Sequence, residues 1–194
     1  MPVDALAVLE RPLRRRLYLA AWKALGLDPG VLEAGHLGAV DALLGPGRCH
    51  RQAPTPGPGA FVRSYGDLWA LVGPAPQPFE GSVTLPGPGR TRLPGTALEV
   101  VWGRDPPVGR PFAALPPGGS PGPLSFRSRR PGDRLGKRKV KDLLMEARLP
   151  RWRRSRAVVV EGRAGEVVGV LAPGTAWPRA TPEVDGWVVW LEGA

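Results

Sequence analysis

Proline and glycine interrupt this chain so often that no helix or strand has room to run far. There are 25 prolines and 27 glycines in 194 residues. Proline removes a backbone donor and fixes φ, while glycine loses the most freedom on ordering, so both mark the ends of elements. Their clusters, at Pro54–Gly59 and throughout 103–123, alternate with apolar runs. That is the pattern of a folded protein with many turns and one loose joint. The 103–123 stretch has the composition of a linker. The expected organisation is therefore a first domain over 1–102, a linker over 103–123 and a small domain over 124–194.

The first part reads as helices followed by short strands. From Leu9 to Leu25 the apolar residues Leu9, Leu13, Leu17, Ala20, Ala21 and Ala24 recur at helical steps and are expected to face inward. Arg14, Arg15 and Arg16 would then fan over a solvated side. A second helix is predicted over His36–Leu44, with Leu37, Val40, Leu43 and Leu44 inward. Phe61–Tyr65 and Leu68–Val72 flank Gly66-Asp67 as a hairpin would. Short strands are expected at Gly81–Leu85 and Leu98–Trp102.

The last part has a different texture. Leu124–Arg127 reads as a strand entering the turn Arg130-Pro131-Gly132-Asp133. Val140, Leu143, Leu144 and Ala147 fall on one face of a helix over Lys139–Arg148, which Pro150 ends. Ala157–Glu161 and Glu166–Leu171 form a hairpin, and Trp187–Leu191 is a closing strand. The fold class is α+β: an N-terminal helical part with short strands, then one helix packed on an antiparallel sheet.

Several chemistries are excluded. Cys49 is the sole cysteine, so no disulfide can form within the chain. Cys49 and His50 are adjacent and His36 stands apart, so no metal-ligand spacing occurs and both read as structural residues. No nucleophile–base–acid set can be assembled. No stretch approaches membrane-spanning length. Met1–Glu10 has two acids and no basic run, so no secretory leader is expected and the location is read as cytoplasmic.

Charge carries the functional signal. The net charge is +10. Residues 127–156 contain thirteen basic and three acidic side chains, which accounts for all of that excess. A cationic segment of this density calls for a polyanion, with nucleic acid first. The alternatives are a general RNA-binding module and a protein-interaction or self-association domain with an acidic partner. Trp152 is expected to pack over the helix rather than stack on a base. Asp133 is expected to close its turn or pair with a nearby arginine.

The run Leu124-Ser-Phe-Arg-Ser-Arg-Arg-Pro-Gly-Asp-Arg134, then Lys139-Val-Lys-Asp-Leu-Leu-Met-Glu-Ala-Arg-Leu-Pro150, Trp152-Arg-Arg154 and the Val158–Gly169 hairpin, resembles the C-terminal domain of tRNA(Ile)-lysidine synthetases. Arg11–Leu17, His36–Leu44 and Phe61–Leu71 are similar, more loosely, to the region before it. The resemblance implies an enzyme that joins lysine to the wobble cytidine of a minor isoleucine tRNA at the expense of ATP. It also implies phosphate contacts for Arg127, Arg129, Arg130, Arg134, Lys137, Lys139, Lys141, Arg153 and Arg154. The family's Ser-Gly-Gly-x-Asp-Ser pyrophosphate loop does not occur in this sequence. By that resemblance ATP and Mg belong to an absent N-terminal catalytic domain, which becomes a partner alongside tRNA. On the same reading no cofactor, metal or catalytic residue is expected in this chain, and a homodimer is left open.

Overall fold

The computed structural model describes residues 1–47, 50–73, 77–106, 108–116, 122–178 and 186–193. It contains two compact units, Met1–Ala75 and Pro76–Ala194.

The first unit opens with helix α1 (Val3–Ala7) and helix α2 (Arg11–Ala24), with Pro12 in the first turn where its missing donor is harmless. A 3-10 turn at Pro29–Val31 leads to helix α3 (Ala34–Ala42), whose first turn is closed by Glu33 and His36 side chains. Strands β1 (His50–Ala53), β2 (Gly59–Ser64) and β3 (Asp67–Val72) then form an antiparallel sheet in chain order. The core joins Val3, Leu6, Tyr18, Trp22, Leu37, Val40, Phe61 and Leu68. Trp22 stacks on Phe61 with ring centroids 5.4 Å apart.

The inward face of α2 differs from the expected one. Leu13 and Leu17 are 46% and 37% exposed, whereas Tyr18 and Trp22, four residues apart, are sealed. Two large aromatics bury more area than a leucine and alanine stripe, so they set the helix rotation. Arg14 and Arg15 consequently turn inward, not onto a solvated side. Asp41 of α3 receives Arg14 Nε at 3.1 Å, Arg11 Nε at 3.2 Å and the Tyr18 hydroxyl at 3.1 Å. Burial first, and then Asp41, pushes the Tyr18 pKa up, so this phenol stays protonated and donates.

The second unit is built from two antiparallel sheets. Strands β4 (Ser82–Leu85), β8 (Leu124–Ser128), β11 (Val158–Glu161), β12 (Val167–Ala172) and β13 (Thr175–Trp177) make one, in the order β13-β12-β11-β8-β4. Strands β5 (Gly89–Arg92), β6 (Glu99–Gly103), β7 (Phe112–Ala114) and β14 (Val188–Glu192) make the other, in the order β5-β6-β14-β7. A small hairpin, β9 (Arg134–Leu135) and β10 (Arg138–Lys139), leads into helix α4 (Val140–Glu146), and helix α5 (Arg151–Arg154) follows.

Side-chain alternation explains the layering. Phe126, Val158, Val160 and Leu171 join Val100, Trp102 and Val189 of the other sheet in one core. Their neighbours Ala157, Val170 and Ala172 point the opposite way and pack with Val140, Leu143 and Leu144 of α4. The result is helix, five-stranded sheet, four-stranded sheet.

The α+β class stands, but the boundary at 103–123 does not. Of the strands that fall in the expected first domain, β4 pairs with β8 and β6 with β14 of the last part, and β5 joins the same sheet through β6. β7 lies inside the expected linker and pairs with β14, which is central rather than closing. Proline and glycine there punctuate short strands whose partners are distant in sequence, so local composition could not reveal the pairing.

Gly59 sits against the Trp22 ring: a Cβ added there would lie 2.6 Å from Leu27 Cδ1 and would collide with Trp22 Cη2. Gly59→Ala is expected to lower the first unit's unfolding free energy by about 1–3 kcal/mol. Gly38→Ala, in α3 with open space around it, should raise it by about 0.5–1 kcal/mol. Urea unfolding of both variants checks this; equal midpoints would contradict the packing described.

Candidate nucleic-acid interface

The cationic segment is organised around one guanidinium that is not on its surface. Leu124 and Phe126 of β8 enter the inter-sheet core, so Ser125 and Arg127 face the α4 side. Arg127 is 5% exposed. Its Nη1 and Nη2 donate to the two Asp133 oxygens at 2.9 and 2.8 Å, and its Nε donates to Glu161 Oε1 on β11 at 2.7 Å. Nη1 also donates to the Ser128 carbonyl at 3.0 Å. A planar fork with five donors suits this arrangement and an ammonium does not.

Asp133 completes the turn from the other side. It accepts from the Arg130 backbone N–H, and its own carbonyl accepts from Val140 N at 2.9 Å. Strand β8, the 129–133 turn and the start of α4 are thereby tied together. Burial alone would raise the Asp133 pKa; the Arg127 hydrogen bonds, the Arg130 amide and the two nearby positive charges outweigh it and hold the carboxyl below its ordinary range. The same Asp133 contacts, against the opposing effect of burial, keep Arg127 firmly charged.

Outside that buried centre the cations are presented. Arg129 and Arg130 are exposed on the turn, Arg134, Lys137 and Lys139 on the hairpin, and Lys141 on α4. Arg134 and Lys139 are directly opposite in the β9–β10 register. Like charges at opposed positions share one face with Cβ atoms about 5 Å apart, which costs stability unless an anion lies between them. Arg134 Nη1 donates to the Lys137 carbonyl at 2.9 Å, so its head is held over the hairpin. Arg138 is taken up by Glu146. Among the described residues, Arg129, Arg130, Arg134, Lys137, Lys139 and Lys141 have no ion-pair partner.

The expected contact set divides accordingly. Arg127 is corrected: it is buried against two carboxylates and serves the turn instead of the surface. Arg129, Arg130, Arg134, Lys137, Lys139 and Lys141 come together on one connected piece of chain. Arg153 and Arg154 of α5 are half-buried, and Arg153 Nη1 lies 3.8 Å from where a Cβ on Gly174 would stand. Arg148 and Arg151, exposed at the α4–α5 junction, belong to the cationic segment but lie outside the expected contact set. Asp133 does both things expected of it, closing the turn and pairing with an arginine. Among the described residues no three His, Cys, Asp or Glu side chains converge as a metal site would require, and no helix is long and apolar enough to cross a membrane. Cys49 lies outside the described residues. His50 is within them, its Nδ1 3.1 Å from Ser64 Oγ.

Residues 124–190 match the family model described as TilS substrate C-terminal domain. The chain is 32% identical over 174 residues to the tRNA(Ile)-lysidine synthase of Geobacillus kaustophilus (strain HTA426), covering 84% of this chain and 37% of that protein. It is 36% identical over 107 residues to the tRNA(Ile)-lysidine synthase of Symbiobacterium thermophilum, covering 48% of this chain and 21% of that one. It thus spans little more than a third of the longer match. A crystal structure of a TILS C-terminal domain aligns at 26% identity with a TM-score of 0.37, over 58% of this chain and 95% of that domain.

Replacing Arg127 with Met leaves two carboxylates without their partner, and the second unit should lose about 3–5 kcal/mol. Asp133 has a folded pKa below its unfolded value, so its contribution is complete above the ordinary carboxylate pKa. It is lost as pH falls from about 4 through the folded value. Denaturation midpoints taken across that range should fall steeply for the native chain and less steeply for Asp133→Asn. Identical acid profiles would contradict the pairing.

Proposed function

Because residues 124–190 form the C-terminal domain of the tRNA(Ile)-lysidine synthase family, we propose that the basic edge of the second unit grips tRNA. The observation that carries this reading is the run of exposed cations from Arg129 to Lys141, of which only Arg138 has an acidic ion-pair partner among the described residues, with Arg134 and Lys139 opposed across a hairpin. Side chains of this kind neutralise phosphates and position a folded RNA without reading its bases. A-form RNA offers phosphates rather than a readable deep groove, so backbone contact is the expected mode.

The chemistry proposed for the whole enzyme is ATP-dependent ligation of lysine to the wobble cytidine of the isoleucine tRNA with anticodon CAU. It falls to a catalytic portion carrying the Ser-Gly-Gly-x-Asp-Ser loop, with ATP and Mg, in the cytoplasm. This chain contributes the grip: Arg129, Arg130, Arg134, Lys137, Lys139 and Lys141 hold the tRNA body, and Arg127 and Asp133 hold those residues in place.

Filter binding of an isoleucine tRNA transcript over a range of salt tests the proposal. If roughly five phosphates are neutralised, log K should fall against log salt with a slope near −4. Replacing Arg134 and Lys139 together with Gln should make that slope shallower by about two and leave the melting temperature level or higher, since two facing like charges are removed. A flat salt response, or equal affinity for a plain RNA duplex of similar length, would contradict the assignment.

A further inference from the structure

We propose that Arg148 is a further tRNA-contacting residue, held off the end of α4 by a backbone conformation that its side chain disfavours. The inference rests on the tRNA-grip reading above and extends it to a residue outside the expected contact set.

The end of α4 is a Schellman turn. Arg148 N donates to the Met145 carbonyl at 2.9 Å, and Leu149 N donates to the Leu144 carbonyl at 3.3 Å. Leu149 is buried in the same cluster as Leu144, the apolar contact that accompanies this motif. Arg148 occupies the left-handed position, with φ 52°. Glycine is the usual occupant there, because a Cβ at positive φ crowds the following carbonyl. This chain is rich in glycine and uses it freely: apart from Arg148 and Tyr65, every described residue with positive φ is glycine. An arginine kept at such a position points to a use for its side chain.

The surroundings indicate what that use is. Arg148 is exposed, and among the described residues its guanidinium has no hydrogen-bond or ion-pair partner. Helix α4 is seven residues long, so its two ends are about 10 Å apart. Along the chain Arg148 therefore lies between the cations of the hairpin and α4 and Arg151 on α5. A spacing of that order corresponds to one or two steps along a nucleic-acid backbone. The ligand class is the phosphate backbone of the same RNA. A positive charge at a helix C-terminus also interacts with the helix dipole, so the test has to separate charge from conformation.

Two variants of the full 194-residue chain do so. Arg148→Gly removes both the charge and the conformational conflict; Arg148→Gln removes the charge and leaves the conflict. The expected result is a melting temperature about 2–4 °C higher for Arg148→Gly and unchanged for Arg148→Gln. Both should bind the isoleucine tRNA transcript about fivefold to tenfold more weakly at 0.1 M salt, with a salt slope shallower by about one. Arg148→Lys should keep the wild-type slope. If the native chain binds and Arg148→Gln binds equally well with the same slope, the assignment is overturned and the wider grip stands. If Arg148→Gln instead loses several degrees of stability with binding intact, the charge serves the helix dipole and the assignment again fails. A native chain that ignores tRNA overturns the wider reading and this one with it.

Discussion

The arrangement of the second unit depends on a guanidinium that never reaches solvent. Arg127 joins β8 to Asp133 in the following turn and to Glu161 on the neighbouring strand β11. Taking three charges out of water is expensive, and an apolar cluster of the same volume would often be as stable. What an apolar cluster would lack is direction. The bidentate fork fixes where the 129–133 turn stands relative to the sheet, and the Asp133 carbonyl then fixes where α4 begins. Every exposed cation from Arg129 to Lys141 hangs from that fixed frame.

This division of charge resolves what would otherwise be an electrostatic problem. Of the acidic side chains near the segment, Asp133 and Glu161 are drawn to Arg127 and Glu146 to Arg138, which leaves Asp142 of α4 without an ion pair among the described residues. Arg129, Arg130, Arg134, Lys137, Lys139 and Lys141 are left facing solvent, and one pair of them faces itself across the β9–β10 hairpin. A surface that repels itself is stable enough only because the sheet and the α4 cluster beneath it are well packed, and it gains when a polyanion arrives. The buried layer and the charged layer therefore have separate tasks, joined at Arg127.

Much of this was legible in the sequence, for physical reasons that differ by element. The Val140, Leu143, Leu144 stripe was readable because α4 has one apolar face and one layer to pack on. The charge surplus was readable because it is a property of composition and not of pairing. The inward face of α2 is not decided by periodicity, since Leu13 and Leu17 fit the helical period as well as Tyr18 and Trp22 do. Only the size of the aromatics decides between them. The pairing of β6 with β14 is not legible in local composition, because the two strands are neighbours in the sheet but lie on either side of the Pro/Gly stretch. Arg127 could not be told from Arg129 and Arg130 by type. The alternation of β8 does set it opposite Phe126, but that α4 and Glu161 cover the opposite side is a tertiary fact. The left-handed position of Arg148 left no trace in the sequence, because glycine was absent where the turn wanted it.

The sequence has four lysines, Lys23 on α2 of the first unit and Lys137, Lys139 and Lys141 at the basic edge. Lysine acetylation read by mass spectrometry, with and without saturating isoleucine tRNA, therefore tests the central claim with an internal reference. The account predicts that tRNA shields Lys137, Lys139 and Lys141 while Lys23 reacts as before. Unchanged reactivity at the three edge lysines, or protection confined to Lys23, would contradict it.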